Sequence, residues 1–190
     1  AIDEMVAKLK EKNIISDEAA FKNLILKREE KSSTGLGEGV AMPHAKTSVV
    51  NTPAVLFARS NKGINYDALD GEPVYIFFMI AASEDAHDLH IDTLAKLSKM
   101  LLNDDFTQGL KTCGTPDEVY TLIDKYSEKS QEAIKKEAKE VQNTNKKKIL
   151  AVTACPTGIA HTYMAEAALK EAGEKLGVDV KVETNGADGI

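Results

Sequence analysis

Apolar residues recur at helical spacing from the first positions of the chain. Ile2, Met5, Val6 and Leu9 share one face and predict a helix to about Glu11, broken at Asn13. Ser16 is the expected N-cap of a second helix, with Asp17 and Glu18 in its first turn, where negative charge suits the helix dipole. Ala20, Phe21, Leu24, Ile25 and Arg28 fall on a broad face and carry that helix to about Glu30. Beyond it the pattern shortens. Val40-Ala41-Met42 reads as a short strand that Pro43 should end, because proline donates nothing to a sheet ladder. Val55-Leu56-Phe57-Ala58-Arg59 is a second strand, with a turn at Asn61-Lys62-Gly63. Asp70-Gly71-Glu72-Pro73 turns into the unbroken apolar run of residues 74–82, which suits a buried central strand.

Ile91, Leu94, Leu97 and Leu101 then mark an amphipathic helix beginning at His90. Phe106 and Leu110 belong to a short helix ending at Cys113-Gly114. Thr115-Pro116-Asp117-Glu118 predicts another helix start, with Thr115 as cap, Pro116 in the first helical position and Glu118 completing a capping box. After Ser127 the pattern fades. Glu, Lys, Gln and Asn dominate, and the few apolar residues up to Lys148 cannot build a core. Glu132 and Lys136 can pair one turn apart, so part of this stretch reads as a helical spacer. The pattern returns with a strand at residues 149–153 and a helix faced by Met164, Ala168, Leu169, Ala172 and Leu176. Gly177 ends that helix, and residues 178–183 alternate as a second strand, giving a strand, helix, strand unit of parallel type. The expected organisation is an α/β domain over residues 1–127, a linker over 128–147 and the first part of a second α/β domain over 148–190.

Composition changes this picture little. The 190 residues carry a net charge of −6, which argues against nucleic acid as a partner. No apolar run reaches the roughly 18 residues a membrane span needs. The chain opens directly in a helical pattern and closes where another element is expected, so it reads as a fragment cut at both ends. The two cysteines, Cys113 and Cys155, are far apart and fit a reducing compartment. Cys113 reads as a small packing residue.

Two stretches carry candidate chemistry. Ser32-Ser33-Thr34-Gly35-Leu36-Gly37-Glu38-Gly39-Val40-Ala41-Met42-Pro43-His44-Ala45 gathers three glycines and a proline around one histidine. A histidine at a strand mouth can accept a proton, hold a metal or act as a nucleophile, although a lone loop histidine is most often merely solvated. His87 and His90 have a spacing that could suit a metal, but no cysteine or carboxylate cluster accompanies them, so no metal is expected. Cys155 stands between a strand end and a helix start, where unpaired N–H groups cradle anions and favour thiolate. A tyrosine phosphatase loop would place an arginine six residues after the cysteine. His161 stands there instead, followed by Thr162, which removes that family's phosphate clamp.

Arg28 followed by the Ser-Ser-Thr-Gly-x-Gly-x-Gly-x-Ala-x-Pro-His-Ala run resembles the phosphorylation segment of fructose/mannitol-type enzyme IIA domains of the bacterial phosphotransferase system. His90-Ile91-Asp92-Thr93-Leu94-Ala95-Lys96-Leu97 resembles the family's second active histidine. Residues 151–162 resemble the phosphocysteine loop of fructose-type enzyme IIB domains, and Val182-Glu183-Thr184-Asn185-Gly186 is similar to that family as well.

The resemblance implies an enzyme IIA-type mixed sheet flanked by helices, then a parallel-sheet IIB domain. It implies that a phosphorylated histidine-containing carrier protein loads His44, which passes the phosphoryl group to Cys155 and on to a sugar, fructose by similarity. The sugar would be held by a membrane IIC domain absent from this chain, tethering the cytoplasmic domains to the membrane. Arg28 and His90 would steady the phosphoryl group. Gly35, Gly37 and Gly39 would add backbone donors, and Pro156, Thr157, Gly158, Ile159, Ala160, His161 and Thr162 would line the second phosphate site. No cofactor is required. The other reading open at this point is a regulatory module whose binding follows its phosphorylation.

Overall fold

The first helix forms where apolar residues repeat on one face and acidic residues meet its N-terminus. α1 (Ile2–Glu11) buries Met5, Val6 and Leu9, and Asn13 ends it in a left-handed conformation at φ 56°. α2 (Glu18–Lys31) is capped one residue later than Ser16, the cap expected from sequence. Asp17 is extended and its side chain accepts the Ala20 N–H at 2.9 Å. Ser16 Oγ donates instead to the Val49 carbonyl, so a distant partner takes the expected cap. The computed structural model describes residues 1–84, 87–127, 148–154 and 159–185, with backbone alone at 87–92, 159–161 and 185. The chain divides into two units, Ala1–Ile91 and Asp92–Ile190.

The first unit is a mixed sheet with α1 and α2 packed against it. β5 (Val74–Ala82) is its axis. One edge of β5 pairs antiparallel with β4 (Ala54–Ile64), Phe57 opposite Phe78. The other edge pairs in parallel with two short strands laid end to end, β2 (Val40–Ala41) and β3 (His44–Lys46). β1 (Gly35–Gly37) pairs antiparallel with β2. One expectation changes here. β4 runs through Asn61-Lys62-Gly63 as a strand, with an irregularity between Arg59 and Ile64 where a turn was expected. β2 ends before Pro43 as expected, and pairing with β5 resumes in β3 at His44. Ala41 pairs with Phe77 and His44 with Ile80, so both strands advance three residues and the register is unbroken. Proline is tolerated because the ladder there uses its carbonyl, which accepts the Ile80 N–H at 2.9 Å.

The core of this unit joins Met5, Val6 and Leu9 of α1 and Phe21 and Ile25 of α2 to Phe77, Met79 and Ala81 of β5. Burying each large side chain contributes about 1.5–3 kcal/mol relative to exposure. α2 lies against β3, so the helix that ends near Arg28 packs on the strand that begins at His44.

α3 (His87–Leu101) starts three residues before the expected His90 and so takes in His87. Leu94, Leu97 and Leu101 are buried. α4 (Asp104–Thr112) is capped by Asn103, and its Phe106 ring lies 5.2 Å from that of Tyr126. α5 is helical over residues 116–127. Thr115 Oγ1 accepts the Glu118 N–H as expected of a cap, but the Glu118 carboxylate accepts from Gly114 N rather than closing a box on Thr115. The expected linker, 128–147, lies outside the described residues. β6 (Lys148–Ala154) and β7 (Asp179–Asn185) pair in parallel, and α6 (Ile159–Leu176) packs on both.

Candidate functional site

His44 opens β3 between the buried Pro43 and Ala45, with its own side chain half-buried. The residue before that proline explains how the ring is held. Met42 turns its polar groups out of the β5 ladder: its N–H donates to the Thr34 carbonyl at 3.0 Å, and its carbonyl lies 2.8 Å from His44 Nδ1. A carbonyl oxygen only accepts, so Nδ1 carries a proton and the imidazole lone pair lies at Nε2. β2 and β3 pair with β5 on either side of Met42, and between them this carbonyl and its contact with Nδ1 set the tautomer.

The last turn of α2 carries the charged residues Arg28 and Glu29. Arg28 Nη1 donates to the carbonyl of Ser32, the helix C-cap, at 3.0 Å. Glu29 accepts from both donors of Thr34, the backbone N–H at 2.8 Å and the hydroxyl through a short bond. Thr34 is 3% exposed. The Tyr66 hydroxyl is buried beside this pair. Burial first, and the Glu29 charge next, push the phenol well above its ordinary range, so Tyr66 stays neutral.

The glycines expected to cradle phosphate have local duties. A Cβ on Gly35 would come within 2.8 Å of Ala68 Cα, and its N–H donates to Ser33 Oγ, which itself donates to the Tyr66 carbonyl. Gly37, Glu38 and Gly39 turn with positive φ from β1 into β2, and the Glu38 N–H donates to Asp70 at 2.8 Å. The backbone N–H groups of Glu72 and Glu38 hold the Asp70 carboxyl below its usual range. The run is glycine-rich because it must pack and turn here.

His90 lies in α3, with its side chain outside the described residues. Cys155, Pro156, Thr157 and Gly158, directly after the end of β6, also lie outside them. Ile159, Ala160 and His161 form the first residues of α6, and nothing describes their side chains. Thr162 is 2% exposed, and its carbonyl accepts from Thr153 Oγ1 at 3.3 Å, tying the end of β6 to the start of α6. Among the described residues no group of three or more His, Cys, Asp or Glu could hold a metal ion.

Sequence reasoning missed the Met42 carbonyl, Glu29 and Tyr66. Glu29 had a signal, an acid beside Arg28 in the last helical turn. The Met42 carbonyl had none, since every residue carries one.

Comparison with known proteins shows the family and the fold. Residues 1–126 match the family described as phosphoenolpyruvate-dependent sugar phosphotransferase system, EIIA 2. Residues 150–190 match the family of lactose/cellobiose-specific IIB subunits. The chain is 47% identical over 189 residues to the fructose-specific EIIABC component of Bacillus subtilis, an alignment that takes in 100% of this chain and 30% of the relative. The chain therefore spans less than a third of that relative's length. The crystal structure of nitrogen regulatory protein IIA-Ntr from Neisseria meningitidis is 30% identical, with a TM-score of 0.60 over 64% of this chain and 83% of that one. The structure of IIA mannitol from Escherichia coli, 22% identical, shares the fold at a TM-score of 0.55 over 64% of this chain and 85% of that one.

Proposed function

Because the chain belongs to the phosphoenolpyruvate-dependent sugar phosphotransferase system EIIA 2 family, we propose that it carries a phosphoryl group from a phosphohistidine carrier protein to a sugar by way of His44 and then Cys155. Nε2 of His44 attacks the incoming phosphorus while the donor's P–N bond breaks, and the donor imidazole recovers its lone pair. The Nδ1 proton stays in place. The ring becomes cationic, and the bond to the Met42 carbonyl becomes charge-assisted. In the second step the Cys155 thiolate attacks phosphorus, the N–P bond breaks and neutral His44 is restored. The observation that carries this reading is the 2.8 Å contact between Nδ1 and Met42, which leaves Nε2 as the nucleophilic nitrogen.

Arg28 and His90 are the proposed stabilisers of the transferring group. Residues 1–127 form the loading domain, 128–147 the linker and 148–190 the N-terminal part of the receiving domain. The family matches over 1–126 and 150–190 support that division. Fructose is the proposed sugar, on the 47% identity to a fructose-specific component. A membrane IIC component completes the path and tethers these domains at the inner membrane face. No helix among the described residues is long and apolar enough to cross a membrane.

The likeness to a nitrogen regulatory protein favours one other reading, in which phosphorylation of His44 controls partner binding. The two are separated by incubating the chain with labelled phosphocarrier and mapping the label. The relay requires label at His44 and Cys155 in the native chain, at His44 alone in Cys155→Ser, and at neither in His44→Ala. Label at Cys155 in His44→Ala overturns the relay order. Label that stops at His44 while Cys155 is intact supports the regulatory reading.

A further inference from the structure

We propose that Glu29 is a positioning residue for His44, acting through Thr34 and Met42. The inference deepens the phosphoryl-transfer reading and rests on it for its functional meaning. Three links join the carboxylate to the imidazole. Glu29 accepts both the N–H and the hydroxyl of Thr34. The Thr34 carbonyl accepts the Met42 N–H at 3.0 Å. The Met42 carbonyl accepts from His44 Nδ1 at 2.8 Å. Met42 is 1% exposed and Thr34 is 3% exposed, so water does not compete for either link.

The effect is one of position. The N–H that Glu29 holds and the carbonyl that Thr34 offers to Met42 belong to different peptide groups, and the same is true of the two polar groups of Met42. Charge on Glu29 is therefore not passed along the chain as polarisation of one peptide. What Glu29 does is pin Thr34 to the end of α2, just after the chain leaves the helix at Ser32. Thr34 then sets where the Met42 backbone sits, at the one place where β2 and β3 are interrupted and the ladder to β5 leaves it unheld. Arg28 fastens the same helix end by its bond to the Ser32 carbonyl. With the Met42 carbonyl in place, Nδ1 holds its proton and Nε2 keeps its lone pair. The need is greatest after transfer, when the phosphorylated ring is cationic and the Nδ1–H bond is charge-assisted. Neutral Tyr66, buried beside the pair, adds no competing charge.

The test reads the His44 tautomer by nitrogen-15 NMR of the unphosphorylated full chain, and the initial rate of phosphoryl uptake from the phosphocarrier. Glu29→Ala should lower the Nδ1–H population of His44 and slow uptake about tenfold, the weight of one charge-assisted hydrogen bond. Glu29→Gln keeps an oxygen for the Thr34 N–H and an amide for its hydroxyl, so it should restore the tautomer and keep uptake within about twofold. Thr34→Val, which removes only the hydroxyl link, should fall between them, and Thr34→Ser should match the native chain. If Glu29→Ala unfolds, the Thr34 pair carries the same comparison. A native tautomer in Glu29→Ala, or in Thr34→Val where that variant replaces it, overturns the proposal. So does a Glu29→Gln as impaired as Glu29→Ala, which would make charge and not position the cause. Because the tautomer is read without phosphate, a label that maps away from His44 sinks the transfer reading alone.

Discussion

β5 and β6 are both strands of mainly apolar residues, and they meet different surroundings. β5 has strands on both edges, and its residues from Ile76 to Ala82 are all 3% exposed or less. β6 has one partner, β7, among the described residues. Its Ala151 and Thr153 are half-buried, while Leu150 and Val152 on the alternate face remain 78% and 66% exposed. Apolar composition alone does not bury a strand. Burial follows from how many strands and helices close over it, and in the first unit that closure also makes the site rigid. The strands on either side of Met42 pair with this buried strand, and between them the Met42 N–H is bonded to the Thr34 carbonyl and the Met42 carbonyl to His44 Nδ1.

The largest expected effect tests the buried side of this contrast. Phe78→Ala removes a fully buried ring that lies 5.3 Å from Phe57. It should cost about 3–5 kcal/mol in chemical denaturation, and a loss below about 1 kcal/mol would break the contrast. In the second unit Gly173 of α6 is tightly packed, since a Cβ there would run into Val180 of β7. Gly173→Leu should cost about 1–3 kcal/mol by overpacking. Hydrogen exchange should speed up at β6 and β7 and stay unchanged at β5.

A smaller effect appears in alkali. Folding raises the Tyr66 pKa through burial and the Glu29 charge. Its contribution is therefore complete below the unfolded value of about 10 and is lost as pH rises beyond it. Tyr66→Phe should melt like the native chain at pH 7 and show a shallower loss of stability above about pH 10. Equal alkaline slopes would place the phenol in a more open setting. The smallest effect belongs to the exposed face of β6: Val152→Ala should change stability by no more than about 0.5 kcal/mol. A larger loss would mean that this face is covered in solution.

Much of the fold was legible because it is local. The period of apolar residues located α1, and an unbroken apolar run marked β5 with its observed bounds. The misses share a cause. Ser16 and Asp17 are both competent caps, and Ser16 lost the role because Val49, 33 residues away, offers its hydroxyl a carbonyl. Asn61-Lys62-Gly63 carries turn residues, yet it lies within β4 as an irregularity, and pairing with β5 resumes at Ile64, opposite Val74. β2 ends before Pro43 as expected, yet pairing with β5 resumes in register at His44, which only the Pro43 carbonyl and the distant Ile80 N–H decide.

The sequence by itself determined the helices and the longer strands, which histidine and cysteine carry the family motifs, and that a glycine-rich turn leads into His44. The tertiary structure alone decided the end-to-end seating of β2 and β3 on β5, the grip of Glu29 on Thr34, and the nitrogen of His44 that keeps its lone pair. Side-chain periodicity and capping chemistry are written into neighbouring residues. A backbone carbonyl is the same in every residue, so its partner is chosen only when strands distant in sequence are laid in register.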